Sequence, residues 1–76
     1  MKYVLEYHEH RITDEATARM REFKQTIVEI NPISVYREFC GYSLTMFSRS
    51  PEKAEEFLKS INAYYDSFSD LWKVGD

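Results

Sequence analysis

"YYDSFSDLWKV", residues 64–74, is the stretch on which the fold turns. It follows a helical stripe of Ala54, Phe57, Leu58, Ile61 and Tyr65, and that stripe can be carried through Phe68 to Trp72, giving one long second helix. Against this, "YYDSFSD" is poor in helix formers and rich in Asp and Ser, which favour turns. The preferred reading is a break near 66–69 and a short last strand, "DLWKV". Upstream, Ser50 as N-cap, Pro51 at the first helical position and Glu52 in the first turn mark the start of this second helix.

Before it, "ISVYREFCGYSLTMFSRS" is strand-like on both sides of Gly41. A glycine inside such a run marks a tight turn or a bulge. A hairpin turning at Cys40-Gly41 is the economical reading, with strands near 33–39 and 42–49, the second carrying Tyr42, Leu44 and Met46 on one face. "ITDEATARMREFKQTIVEINP" shows Ala16, Met20, Phe23, Ile27 and Ile30 at spacings of four and three, which predicts one helix from Thr13 or Asp14 to the stop at Asn31-Pro32. "KYVLEYHEHR" alternates, with Tyr3, Leu5 and Tyr7 on one face and Val4, Glu6, His8 and His10 on the other.

The order strand–helix–strand–strand–helix–strand is the ferredoxin-like βαββαβ plan. It predicts a single α+β domain, residues 1–76, with an antiparallel sheet and two helices on one face; the variant replaces the last strand by the longer second helix. This resemblance is one of architecture, and the fold hosts many unrelated functions.

A chain of 76 residues draws no more than ~3–5 kcal/mol from its core alone. With one cysteine it has no internal disulfide, so a good core or a partner chain must make up the difference. Six Tyr, five Phe and one Trp exceed what a single helix–sheet interface hides. The formal charge of −3, from 10 basic and 13 acidic residues, argues against nucleic-acid binding, which normally shows a basic patch, and is too low for a DNA mimic. The N-terminus does not read as a signal peptide, and no run approaches the ~20 apolar residues of a membrane helix. A cytoplasmic protein without membrane association is therefore expected.

Three sites invite chemistry. Glu6, His8 and His10 share a strand face, but a zinc site needs three or four ligands, and Glu38 or Cys40 would have to complete the set. The favoured reading is a solvated edge strand, with no metal and no cofactor. Cys40 would act as a nucleophile only beside a base, and it reads as a half-buried filler. "CGYSLTMF", residues 40–47, faintly resembles the aromatic strand of RNA-recognition motifs, but Tyr42 and Phe47 differ in parity and Cys40 stands where a basic residue is expected.

The expected function is thus a small non-enzymatic interaction or regulatory protein. It binds a partner protein through an aromatic surface, with Tyr36, Tyr42, Phe47, Tyr65, Phe68 and Trp72 as the contact residues. A mobile-element or phage-type inhibitor of a host complex is one form of this, and a homodimer is a second use of the same surface. The alternative is a dimeric ferredoxin-like ligand-binding protein or small enzyme with His8 or His10 at its pocket.

Overall fold

The computed structural model describes residues 1–75. The chain forms β1 (Lys2–His8), α1 (Asp14–Glu22), β2 (Thr26–Val35), β3 (Glu38–Phe47), α2 (Pro51–Ser60), β4 (Tyr64–Asp66) and β5 (Leu71–Gly75). The five strands make one mixed sheet in the order β2-β3-β1-β5-β4. The protein is therefore α+β, but the ferredoxin-like order is not formed. After α2 the chain lays down a short additional strand, β4, and reverses before β5. That reversal makes β5 run parallel to β1, with Leu5 beside Trp72 and Tyr7 beside Val74. The long-helix variant is not formed either, since α2 stops at Ser60.

Both helices start where capping chemistry places them. Thr13 Oγ1 accepts the Ala16 N–H at 3.1 Å, and Ser50 Oγ accepts the Lys53 N–H at 3.3 Å, so each cap satisfies an orphan donor. Both end earlier than their stripes suggest, by the same device. Lys24 and Asn62 adopt left-handed backbone (φ 57° and 60°). The next amide then reaches back to the last turn: Gln25 N–H donates to the Met20 carbonyl at 2.7 Å, and Ala63 N–H to that of Leu58 at 2.8 Å. With the bonds from Lys24 to Arg21 and from Asn62 to Lys59, this is the Schellman closure, made without glycine.

The first helix thus ends at Glu22, not at Asn31, and residues 26–35 are strand. Ile27 and Ile30 pair with Met46 and Leu44, so both face the helices. Their separation of three arises because Val28 is a bulge residue with no partner on β3. A bulged strand here produces the spacing of a helix. The hairpin turns at Tyr36-Arg37, both left-handed (φ 51° and 68°), and not at Cys40-Gly41. Gly41 instead lies within β3 beside a second bulge at Cys40. Its φ is 149°, and a Cβ there would collide with the Tyr7 carbonyl, so glycine lets β1 approach.

The core lies between the sheet and the helices: Leu5, Tyr7, Leu44 and Met46 from β1 and β3 meet Ala16, Met20, Phe57 and Leu58. Each large apolar side chain here contributes ~1.5–3 kcal/mol by burial. A polar network closes one end. Gln25 Nε2 donates to the Phe23 carbonyl (2.9 Å) and to Ser48 Oγ (3.0 Å), while Gln25 Oε1 accepts from the Tyr3 hydroxyl (2.6 Å). Ser48, 1 % exposed, in turn donates to the Ser50 carbonyl and accepts the Ser50 N–H. This network joins the end of α1 and the start of β2 to the cap of α2. No helix among the described residues is long and apolar enough to cross a membrane.

Candidate functional site

Alternation along β1 holds, and it decides the fate of the histidines. Leu5 and Tyr7 are buried under the helices, while Glu6 and His8 stand half-buried on the open face. There His8 Nε2 lies 3.2 Å from Glu6 Oε1, and Lys73 from β5 lies 3.7 Å from the same oxygen and 3.0 Å from Asp66 Oδ2. The open face over β1, β5 and β4 is therefore a ladder of alternating charge. The hydrogen bond from Lys73 holds the Asp66 carboxyl below the usual carboxylate range, and Asp66 raises the Lys73 ammonium in return. His10 leaves this row: it follows the strand, and its ring packs edge-on against Phe39 at 5.9 Å. Glu6 and His8 are brought together; His10 is not. Cys40 donates its thiol hydrogen to the Ile33 carbonyl at 3.3 Å. Among the described residues no three His, Cys, Asp or Glu side chains converge as a metal site.

The six aromatic residues expected to form one surface are spread over the molecule. Tyr36 is 96 % exposed at the β2–β3 turn, which lies at the C-terminal end of β1. Tyr42 packs inward beside Phe39 (5.1 Å) and donates its hydroxyl to the His10 carbonyl. Phe47 closes β3 at the far end, beside Phe23 and Lys24. Tyr65 and Trp72 stack edge-on at 5.5 Å on β4 and β5. Phe68, 99 % exposed, crowns the β4–β5 turn at the opposite corner from Tyr36. Four strand spacings, roughly 19 Å, separate β2 from β4.

The turn carrying Phe68 is held shape-first. Asp66 Oδ1 accepts the Phe68 N–H at 2.9 Å, and the Asp66 carbonyl accepts the Asp70 N–H at 2.8 Å. The Tyr65 hydroxyl donates to Asp70 Oδ1, and that bond to a carboxylate raises the Tyr65 pKa. Burial likewise raises Tyr3, whose hydroxyl is committed to Gln25.

A larger apolar surface was hidden by the helical reading of residues 26–30. Among the described residues, Ile27, Val28, Ile30, Val35, Tyr36, Phe39 and Phe47 all stand exposed on β2, β3 and their turn. The geometric cause is a mismatch of lengths. The nine residues of α1 span ~14 Å, whereas the ten of β2 span roughly 33 Å, so a helix of that length cannot cover the whole strand. β2 is also an edge strand with an uncovered backbone. Pro32 and the Val28 bulge interrupt that edge, two devices that oppose indiscriminate strand addition. The signal available in the sequence was the β-branched density of "TIVEI", which outweighs helix propensity once Lys24 ends α1. No family model, no curated protein and no solved structure matches this chain.

Proposed function

We propose that the chain is a non-enzymatic protein-binding module whose contact surface is the β2–β3 arm. The observation that supports this is the concentration of exposed apolar side chains on one hairpin of a 76-residue chain: Val28 is 52 % exposed, Ile30 48 %, Val35 53 % and Phe39 37 %. A concentration of exposed apolar side chains on one hairpin of so small a protein supports an interaction site there. The blocked strand edge favours recognition by side chains over continuation of the sheet. Occlusion of a surface on another protein, as by the inhibitor expected from the sequence, is the action such an arm suits. Of the dispersed aromatic set, the exposed apolar side chains of this hairpin include Tyr36 and Phe47.

The test is affinity capture of a partner from nuclease-treated lysate, with the purified protein weighed in solution alongside. Ile30→Lys combined with Tyr36→Ser should abolish capture while leaving the circular dichroism spectrum intact, because both side chains are exposed. Phe68→Ser, at the opposite corner, should leave capture unchanged. Loss with Phe68→Ser and not with the arm variant would refute the assignment. A stable dimer broken by the arm variant would make the partner a second copy.

A further inference from the structure

At the end of the sheet away from the Tyr36 turn, the turn after α1, the start of β2, the end of β3 and the start of α2 border a cleft of about 490 Å³. We infer that this cleft binds a small organic phosphate that carries an apolar ring. Its volume lies in the ~300–1,000 Å³ range of ligand pockets. Phe23 and Phe47 supply apolar walls, and Lys24, Arg49 and Lys53 line it together with the hydroxyl of Thr26. No carboxylate lines it, in a chain where acidic residues outnumber basic ones by 13 to 10.

Three cationic residues on one cleft, with no carboxylate among its lining residues, favour an anion there. By contrast, Arg19, Lys59 and Lys73 each face a carboxylate within 4 Å. Among the described residues, no such ion pair involves Lys24, Arg49 or Lys53.

The backbone under these cations is held in place. Lys24 sits at the left-handed closure of α1, and Arg49 lies between Ser48 and Ser50, whose mutual hydrogen bonds fix the approach to α2. The helix end is not the binding element, since Ser50 already caps the Lys53 N–H and Pro51 has none to offer. Three positive groups suit a dianionic phosphate better than a single carboxylate, and two rings flanking them suit a flat apolar substituent. A nucleic-acid polymer is disfavoured because its further phosphates would meet a protein of net charge −3.

The experiment is an amide chemical-shift titration of the intact protein with adenosine monophosphate and with phenyl phosphate. Inorganic phosphate, adenosine and phenol serve as the separate halves. Saturable shifts at Phe23, Lys24, Thr26, Phe47, Arg49 and Lys53 are expected with at least one of the two whole ligands, and which one binds tells a nucleoside from a simple aryl group. Binding should weaken at least tenfold for inorganic phosphate, for adenosine and phenol, and for the variant Arg49→Glu/Lys53→Glu. Should that variant lose its native spectrum, Phe47→Leu replaces it, with an expected loss of ring-dependent affinity only. The inference is overturned by no shift with either whole ligand up to about 10 mM. It is equally overturned by shifts confined elsewhere, or by inorganic phosphate binding as well as the whole ligands.

Discussion

Replacing Ser48 by alanine should be the most damaging single-atom deletion in this protein. Its hydroxyl is buried and makes three bonds: it accepts from Gln25 Nε2 at 3.0 Å and from Ser50 N–H at 3.2 Å, and donates to the Ser50 carbonyl at 2.8 Å. In Ser48→Ala, one Gln25 N–H is left without a partner at 7 % exposure, which costs ~1–3 kcal/mol. Ser50 is only half-buried, so water recovers part of its two lost bonds. The sum is about 2–4 kcal/mol. For a 76-residue chain with a total stability of roughly 4–11 kcal/mol, that is a large fraction. At ~4–8 °C per kcal/mol for a domain of this size, the melting temperature should fall by roughly 8–32 °C. The same reasoning predicts rescue: Tyr3→Phe/Gln25→Leu/Ser48→Ala removes both partners of each side-chain–side-chain bond in the network, leaving only the half-buried Ser50 groups and the Phe23 carbonyl to water, and should be clearly more stable than Ser48→Ala alone. Urea unfolding followed by Trp72 fluorescence measures both. A Ser48→Ala cost under about 0.5 kcal/mol, or a triple variant no better than the single, would refute the network's role.

Gly41→Ala should destabilise by ~3 kcal/mol or more, from the left-handed φ and from the clash with the Tyr7 carbonyl that forces β1 from β3; a near-neutral result in urea unfolding would sink the bulge assignment. Tyr36→Asn/Arg37→Gly should raise stability by roughly 1–2 kcal/mol, because asparagine and glycine tolerate the two left-handed positions, yet reduce partner capture; unchanged stability would count against strain at the turn. Asp66 is held low by Lys73, so its folded-state pKa lies below the unfolded value of ~3.9. Its contribution is present above that value and lost as pH falls through the folded one. Lys73 is raised by Asp66, so its contribution is complete below ~10.4 and lost as pH rises through its folded value. Trp72 fluorescence should therefore report loosening of the β4–β5 hairpin at both extremes, and Asp66→Asn should remove the acid limb; an identical acid midpoint in that variant would contradict the coupling.

How much of this could be read from residues alone differs sharply between starts and ends. Thr13 and Ser50-Pro51 mark helix starts by side-chain chemistry that is local, and the alternation of β1 correctly divides Leu5 and Tyr7 from Glu6 and His8. Helix ends were not legible because glycine, the usual signal, is absent from them. Lys24 and Asn62 take the left-handed positions, and Tyr36, Arg37 and Asp70 do so in the remaining turns. Gly41, meanwhile, sits inside a strand for the sake of a close approach that only the folded sheet reveals. The bulge at Val28 compounds the error by giving Ile27 and Ile30 a helical spacing. The reversed last strand depends on the Asp66–Asp70 turn, whose bonds reach over a few residues but whose consequence, a parallel pairing with β1, is long-range.

The candidate surfaces follow the same division. The surplus of aromatics points to rings left exposed, and sheet order places two of them, Tyr36 and Phe68, at opposite corners. The arm was concealed by the helical assignment of its first half. The cationic cleft draws on two distant stretches, around Lys24 and around Arg49, with no shared motif.

The most direct test of the arm as the contact surface is photo-cross-linking from single sites. A benzophenone side chain is placed in turn at Val28, Tyr36, Lys59 and Ser67, all exposed, and each purified protein is irradiated with the captured partner. The account predicts a discrete adduct from positions 28 and 36 and none from 59 or 67. Adducts from 59 or 67, with none from the arm, would contradict it.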